Sequence, residues 1–278
     1  MAKTSTLWAP KRRIEQTYRK AIQAVLKSLG ESLTDLEDAS EIANRIKDFT
    51  YNPLFLEYAE ASAMKMVTHL FSDAGRTWRQ AAKTNSKGRL IFQALQKEMR
   101  GPIGAAVRLQ AERNAEVIKS LPIDIAKQVN EHVLREAIKG TRSSEIALQI
   151  KEFFPEESKA KANLIARTEV SKTSTALTQA RCEFVGADWY IWRTSEDSRV
   201  RGSHRLMDGV IVKWNDPPSP EKLDGETRTF GHYHAGEIFN CRCYAEPVID
   251  LNLISWPVKV YYGGRIQRMT RKQFEKIA

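Results

Sequence analysis

Apolar side chains recur every three or four positions through the first two-thirds of the chain, which is the spacing of amphipathic helices. The pattern predicts helices over residues 11–29, 53–83, 90–99, 107–120, 122–139, 145–154 and 155–185. A further short helix is predicted to start at a cap formed by Thr34 or Asp35 and to end at about residue 49. Thr141 or Ser143 is a suitable cap for the helix over 145–154. This part of the chain is therefore predicted to be almost entirely helical.

Glycine and proline divide this helical region. Gly30 and Gly140 follow the last apolar positions of two helices and are expected to end them. Pro155 precedes two acidic residues, a combination that suits the first turn of a helix. We therefore expect one helix to end at Phe154 and the last long helix to begin at Pro155.

The body of that last helix, residues 167–178, is rich in threonine, serine and alanine. Small side chains allow a neighbouring backbone to approach closely. The composition therefore predicts packing against the segment that follows, and it gives no reason to assign a catalytic role to Thr168 or Ser171.

The pattern changes at Ala187, where aromatic and β-branched residues become frequent. Strands are predicted over 188–193 and 210–214, around 239–246, and over 256–262, ending at Gly263–Gly264; residues 265–278 are predicted to be a basic tail with a short helix. Asp208–Gly209 is the turn signal before the second strand. The predicted fold class is α+β, with a predominantly helical N-terminal two-thirds followed by a small β-rich module.

The composition of the 278 residues, 42% hydrophobic and 28% charged, supports a packed core. No stretch approaches the roughly 18 consecutive apolar residues that a membrane span needs. No apolar segment follows the charged start, so we expect no secretory signal and no membrane partner, and synthesis in a cytoplasm.

The formal net charge is +10, which predicts a polyanionic neighbour. The basic residues are spread along the chain, without a run of five or more. Spread positive charge favours non-specific electrostatic contact with double-stranded DNA over recognition of a base sequence.

Cysteine and histidine residues are concentrated near the C-terminal end. Cys241 and Cys243 would point to the same side of an extended segment. With His234, and then His204 or His232, they are candidate ligands of a structural zinc ion that would stabilise the small module. The Cys-x-Cys spacing is unusual for zinc, and the alternative is that the cysteines are buried small side chains and the histidines lie at the surface.

A second polar cluster runs from Asp197 to Gly209 and contains Asp, Ser and His. Such a local grouping suggests a hydrolase or a metal-dependent nuclease, but catalytic triads are defined by geometry, which neighbours in sequence rarely provide. The structural interpretation pairs Asp197 with Arg199 within a turn. Phosphate-binding, dinucleotide-binding, His-Glu-x-x-His and Gly-x-Ser-x-Gly motifs are all absent from the sequence. We therefore predict that the protein is not an enzyme.

The order of these motifs resembles a known family. Ala166–Glu169 and Ala180–Arg181 on one helix are followed by Gly186, Trp189, Asp197–Arg201, Ser203–His204, Asp208–Gly209 and Asn240–Cys243 running into Pro247. This series is similar to the C-terminal domain of phage Mu F-like minor head proteins, over about residues 163–248. The motif residues to which we assign structural roles are Arg167, Glu169, Asp197, Arg199, Arg201, His204, Asp208, Gly209 and Arg242.

One position departs from the family's pattern. Many members resemble His-Pro-Asn-Cys-Arg-Cys near the end of this region, whereas this chain has Ile238 and Phe239 before Asn240. A metal-binding role borrowed from that histidine is therefore weakened, and His232 or His234 is the candidate substitute.

The resemblance implies a low-copy protein of the capsid interior, near the portal vertex of a tailed phage. It implies the portal protein, the major capsid protein or the scaffold protein as partners, and a role in procapsid assembly and in DNA packaging or delivery. The expected divisions are a helical region that contacts portal or capsid (1–155), the Mu F-like domain (156–250) and the basic tail (251–278). The alternative function is a zinc-dependent nuclease or another enzyme that uses His204, Cys241 and Cys243.

Overall fold

The computed structural model describes residues 7–84, 99 and 101–278. Helices come first and a small sheet follows, which confirms the predicted α+β class. The helices described before the sheet are α1 (Arg12–Glu31), α2 (Ala39–Phe49), α3 (Pro53–Thr84), α4 (Pro102–Lys119), α5 (Leu121–Ile138) and α6 (Ser143–Val185). The helix predicted over 90–99 lies outside the described residues, apart from Met99.

The chain divides into two compact units, each built from separate stretches of sequence. Glu15–Val67 with Gln110–Ala166 is the helical unit, and Met1–Ile14, Thr68–Leu109 and Arg167–Ala278 make up the sheet unit. Helices α1, α3, α4 and α6 contribute residues to both units. The functional divisions expected at residues 155 and 250 stay predictions.

The predicted apolar stripe of α1 forms part of the core of the helical unit. Tyr18, Ile22, Leu26 and Leu29 succeed one another at helical spacing and are no more than 2% exposed. The Oη atom of Tyr18 donates to Oδ1 of Asn114 at 3.4 Å, so the one polar atom in the stripe has a partner within the core.

The start of α2 differs from the prediction. Asp38, rather than Thr34 or Asp35, caps the helix by accepting hydrogen bonds from the backbone N–H groups of Ser40 (2.8 Å) and Glu41 (3.2 Å). The Oγ atom of Ser143, at the start of α6, donates to Asp38 at 2.6 Å. A single carboxylate thus links the beginnings of two helices, and the Ser143 hydrogen bond lowers the pKa of Asp38.

Pro155 does not start a new helix, because α6 continues through it from Ser143 to Val185. An internal proline removes one backbone hydrogen bond, and packing can offset that loss. The neighbouring Phe154 is 5% exposed, and its ring would lie 3.1 Å from a Cβ atom placed on Gly30. Gly30 therefore lies within α1, where it makes room for Phe154, and the prediction that it ends this helix was wrong.

The described part of the sheet unit contains five strands: β1 (Trp189–Arg193), β2 (Ile211–Lys213), β3 (Tyr244–Pro247), β4 (Val258–Tyr262) and β5 (Arg265–Met269). Their order across the sheet is β3-β1-β2-β4-β5. The pairing is antiparallel except between β2 and β4, which run parallel with Ile211 opposite Val260. Short helices α7 (Gly202–Met207) and α8 (Pro220–Leu223) lie in the connections, and α9 (Arg271–Phe274) follows β5.

The segment predicted to be a basic tail is part of the sheet. Strands β4 and β5 form a hairpin in which Tyr262 pairs with Arg265. The two residues between them, Gly263 and Gly264, have φ angles of 62° and 76°. Positive φ at both central positions is the requirement of a two-residue hairpin turn whose twist matches the strands, and glycine meets it without strain.

Side chains alternate between the two faces of the sheet, and each face has its own core. Tyr190, Trp192 and Val212 belong to the larger cluster, which includes Trp78 of α3 and all three cysteines. The smaller cluster, on the alternate positions, consists of Trp189, Ile211, Val260, Met269 and Phe274. The chain from β1 to α9 is therefore stabilised by burial on both faces.

Candidate metal centre and the motif residues around it

The small residues of α6 hold the loop that carries Cys241. Three hydroxyl groups one turn apart face this loop, which explains the threonine and serine content of the helix. Thr168 Oγ1 accepts from the backbone N–H of Asn240 at 2.9 Å, Ser171 Oγ donates to the carbonyl of Cys241 at 2.9 Å, and Thr175 Oγ1 donates to the carbonyl of Ala235 at 2.6 Å. The predicted packing against the segment that follows is confirmed.

Gly236 lies at the tightest point of this contact. Its φ angle is 89°, and an added Cβ atom would lie 2.8 Å from the Cys243 carbonyl and 2.8 Å from Thr175 Oγ1. Both the backbone conformation and the lack of space require glycine here.

The first motif residues on α6 make surface contacts. Arg167 donates to Oδ1 of Asn240 at 2.8 Å, which adds a fourth contact between α6 and the cysteine loop. Glu169 forms an ion pair with Lys172, three residues further along the helix, at 3.4 Å. The structural roles assigned to the two residues stay predictions.

Asp197 binds Arg242 through both of its carboxylate oxygens, and Oδ1 accepts from Arg242 Nη2 at 2.7 Å. This bidentate hydrogen bond lowers the pKa of Asp197 to about 2. Asp197 also accepts from the backbone N–H of Arg199 at 3.0 Å, while the Arg199 guanidinium lies 3.6 Å away. The predicted turn pairing with Arg199 is present, and sequence reasoning missed the stronger partner, Arg242.

Two further motif positions fix the surrounding loops. Arg201 donates to the carbonyl of Phe239 at 3.0 Å, and its guanidinium lies 4.7 Å from the centre of the Phe239 ring. Oδ1 of Asp208 accepts from the backbone N–H and the hydroxyl of Thr194, at 2.8 and 3.0 Å. Gly209, with φ of 76°, completes the predicted turn into β2.

His204 and the two cysteines form a compact buried cluster. Nδ1 of His204, on α7, lies 3.5 Å from Sγ of Cys241 and 3.4 Å from Sγ of Cys243. The three side chains are 2–3% exposed, and their ligand atoms all lie within 4.8 Å of one another. Imidazole nitrogen and thiolate sulfur are the ligand types that zinc prefers, so these three atoms could hold such an ion.

Behind His204 lies a chain of buried polar groups that sequence reasoning missed. Nε2 of His204 is 3.0 Å from Oη of Tyr233, and that hydroxyl donates to Oε1 of Glu221 in α8. Glu221 is 1% exposed. The available signals were weak: Tyr233 stands between two histidines, and Glu221 follows the Pro-Ser-Pro loop.

The other two candidate histidines lie elsewhere. His234 is buried, but its Nδ1 atom lies 3.1 Å from the hydroxyl of Tyr190, and burial lowers its pKa. His232 is exposed and bonds to the carbonyl of Pro217 at 2.8 Å. The structure therefore brings together three of the proposed ligands, His204, Cys241 and Cys243, and does not bring His232 or His234 to them.

The two thiols affect each other's ionisation. A hydrogen bond from Cys243 lowers the pKa of Cys241, and the adjacent His204 acts in the same direction. The neighbouring Cys241 sulfur and burial raise the pKa of Cys243. The third cysteine, Cys182, is fully buried away from this group, and burial raises its pKa.

Comparison with known proteins identifies the region that carries this site. Residues 127–246 match the family model described as "Phage Mu protein F like protein". An "Uncharacterized protein" of Haemophilus influenzae is 37% identical over 139 residues, which is 50% of this chain and 28% of that protein. "Minor head protein GP7" of Bacillus phage SPP1 is 35% identical over 95 residues, which is 33% of this chain and 30% of that protein.

The matched regions thus span less than a third of either relative. No solved structure matches the chain significantly. The family match includes every motif residue from Arg167 to Cys243. The resemblance inferred from the motif series is confirmed over residues 127–246, which match the Mu F-like family model.

Proposed function

We propose that this protein is a minor capsid protein of a tailed phage or prophage that acts in head morphogenesis. The observation that carries the proposal is the Mu F-like match over residues 127–246, with the similarity to a minor head protein as support. The contacts of the motif residues agree with it. Arg167, Asp197, Arg201 and Arg242 bind other parts of the sheet unit and so serve to build the domain.

The proposed place of action is the capsid interior near the portal, with the protein present in the host cytoplasm during assembly. Proposed partners are the portal protein first, then the major capsid or scaffold protein. The helical unit offers apolar side chains for such contacts. Leu134 and Ile138, one turn apart on α5, are 63% and 88% exposed. Large exposed apolar side chains at neighbouring positions are typical of protein interaction sites.

We further propose that the protein lies close to packaged double-stranded DNA and tolerates it through non-specific electrostatics. The net charge of +10 supports this. Such binding releases counterions, so the affinity for a random duplex is expected to fall steeply with salt. Within the described residues, no helix is both long and apolar enough to span a bilayer.

The alternative, a zinc-dependent nuclease or other enzyme built on His204, Cys241 and Cys243, has less support. These side chains are 2–3% exposed, so a phosphodiester could not reach them without local opening of the domain. A nuclease assay with added zinc or manganese would distinguish the two functions. Activity that is lost in both His204→Ala and Cys241→Ala would favour the enzyme.

The proposed head function is tested in the phage or prophage that encodes the protein. Procapsids and mature virions would be purified and their proteins quantified by mass spectrometry, and the portal would be used to recover bound proteins from infected cells. We expect a few copies per particle and recovery with the portal. Absence of the protein from both procapsids and virions would overturn the proposal.

A further inference from the structure

We propose that the sheet unit binds one Zn²⁺ ion through Nδ1 of His204 and the sulfur atoms of Cys241 and Cys243, with Tyr233 and Glu221 as the outer partners of the histidine. The proposed head function assigns no chemical step to these buried side chains. The proposal therefore stands on its own geometry and does not depend on the assembly role.

The spacing of the three ligand atoms fits a tetrahedral ion. Zinc–sulfur bonds of about 2.3 Å and zinc–nitrogen bonds of about 2.0 Å set the nitrogen-to-sulfur separation at about 3.5 Å. The observed separations from His204 Nδ1 are 3.5 Å to Cys241 and 3.4 Å to Cys243. Both sulfur atoms are thus at the distance from the same nitrogen that a shared zinc ion would impose.

The hydrogen bonds of His204 leave its Nδ1 atom free to act as a ligand. The Tyr233 hydroxyl gives its own proton to Glu221, so it must accept a proton from Nε2 of His204, 3.0 Å away. A neutral imidazole protonated at Nε2 carries its lone pair on Nδ1, the atom that faces both cysteines. Metal-bound histidines are commonly oriented in this way by a partner on the second nitrogen.

The surroundings of the sulfur atoms also suit thiolates. The backbone N–H of Cys243 points at the sulfur of Cys241, at 3.3 Å. Two thiolates this close would repel each other in a buried site, and a divalent cation between them removes that repulsion.

A zinc ion at this position would stabilise the fold. It would connect α7 to the segment before β3, because His204 and Cys241 lie 37 positions apart in the chain. In the described part of the chain this cluster offers three ligand atoms, one each from His204, Cys241 and Cys243. The fourth position of a tetrahedral ion would therefore be filled by a water molecule or another small ligand.

The first test is the metal content of the full chain, purified without chelator and measured by atomic emission. We expect about one equivalent of zinc. His204→Ala, Cys241→Ala and Cys243→Ala should each lose it. Cys182→Ala, a buried cysteine outside the cluster, and His232→Ala, an exposed histidine, are the matched controls and should retain it.

A second measurement on the unmodified chain covers the case in which the cluster variants fail to fold. Removing zinc with a chelator should lower the thermal midpoint and make Cys241 and Cys243 reactive towards a thiol reagent, and Zn²⁺ but not Mg²⁺ should reverse both changes. Added Co²⁺ should give the near-ultraviolet absorbance of thiolate-bound cobalt.

The proposal is overturned by either of two results. One is wild-type protein with less than about a tenth of an equivalent of zinc that takes up neither Zn²⁺ nor Co²⁺ when titrated. The other is a disulfide between Cys241 and Cys243 in freshly purified protein, because oxidised sulfur atoms cannot bind the ion.

Discussion

Asp197 accepts hydrogen bonds from both terminal nitrogens of Arg242, the residue between the two clustered cysteines. The pair ties the turn after β1 to the segment that enters β3. Its geometry is the bidentate arrangement that makes guanidinium–carboxylate contacts specific as well as stabilising. The position of the cysteine segment therefore depends on an acidic residue more than 40 positions earlier in the chain.

This pair should make stability depend on pH. The pKa of Asp197 in the folded protein, about 2, lies below the usual value for an aspartate. The contribution of the pair to the free energy of unfolding is therefore present above about pH 4 and is lost as the pH falls towards 2. Asp197→Asn should cost about 1 kcal/mol at pH 7, a figure reduced because the side chain is partly exposed. The measurement is urea unfolding of both proteins between pH 7 and pH 2.5.

The control for this prediction is Asp216→Asn, which changes an exposed aspartate in the loop after β2. Its difference from wild type at pH 7 should be small. A wild-type advantage over Asp197→Asn that does not shrink as the pH falls would contradict the assigned role.

The close packing around Gly236 leads to a prediction about the free energy of unfolding. Gly236→Ala forces a Cβ atom against the Cys243 carbonyl and the Thr175 hydroxyl, in addition to the cost of its positive φ. Gly231 has nearly the same φ, 88° against 89°, but an added Cβ atom there meets nothing within 4 Å. We expect thermal or urea unfolding to show a loss of about 1 kcal/mol for Gly231→Ala and about 3 kcal/mol for Gly236→Ala. Equal losses would mean that α6 does not constrain the loop.

Tyr233 gives a prediction about the metal centre. Tyr233→Phe removes the hydroxyl that fixes the proton on His204 Nε2, and it leaves Glu221 without that donor. Zinc affinity, measured by competition with a chromogenic chelator, should fall by about 10- to 100-fold. Tyr190→Phe removes another buried hydroxyl, which bonds to His234, and should leave zinc affinity unchanged. A similar loss in both variants would point to general destabilisation.

Ile138 gives a prediction about assembly. Ile138→Lys places a charge on a side chain that is 88% exposed, so the free energy of unfolding should change by less than about 0.5 kcal/mol. If this face contacts a head component, recovery with the portal or with procapsids should fall. Asn130→Lys introduces the same charge at another exposed position of α5 and serves as the control. Normal incorporation of Ile138→Lys into heads would exclude this face as a contact.

The sequence predicted the elements whose periodicity is strong and the positions where turn chemistry is local. The stripe of α1, the strand at Trp189–Arg193 and the turn at Asp208–Gly209 are examples. It did not predict that α6 continues through Pro155, because the packing of Phe154 against Gly30 involves residues more than 100 positions apart. It also missed β5, although Gly263–Gly264 is a hairpin signal, since the basic residues that follow suggested a solvated tail.

The candidate site was predicted only in part, because some of its contacts are local in sequence and others join distant segments. Cys241 and Cys243 are neighbours, so their proximity was visible in the sequence. His204 was included among several histidines, and only the fold shows that it, and neither His232 nor His234, faces the sulfur atoms. Tyr233 and Glu221 have only a weak sequence signature, because their role depends on hydrogen bonds formed between separate loops.

Because β2 pairs with β4, the region that matches the family model ends before the sheet is complete. The family match ends at residue 246, yet β4, which pairs with the side of β2 away from β1, begins at Val258. A chain cut between these points would keep the pairing of β2 with β1 but expose the other edge of β2, and an exposed strand edge can pair with another molecule. Expression of the matched region alone should therefore give aggregates, and the shortest soluble version should extend at least to Phe274, whose ring packs on Trp189.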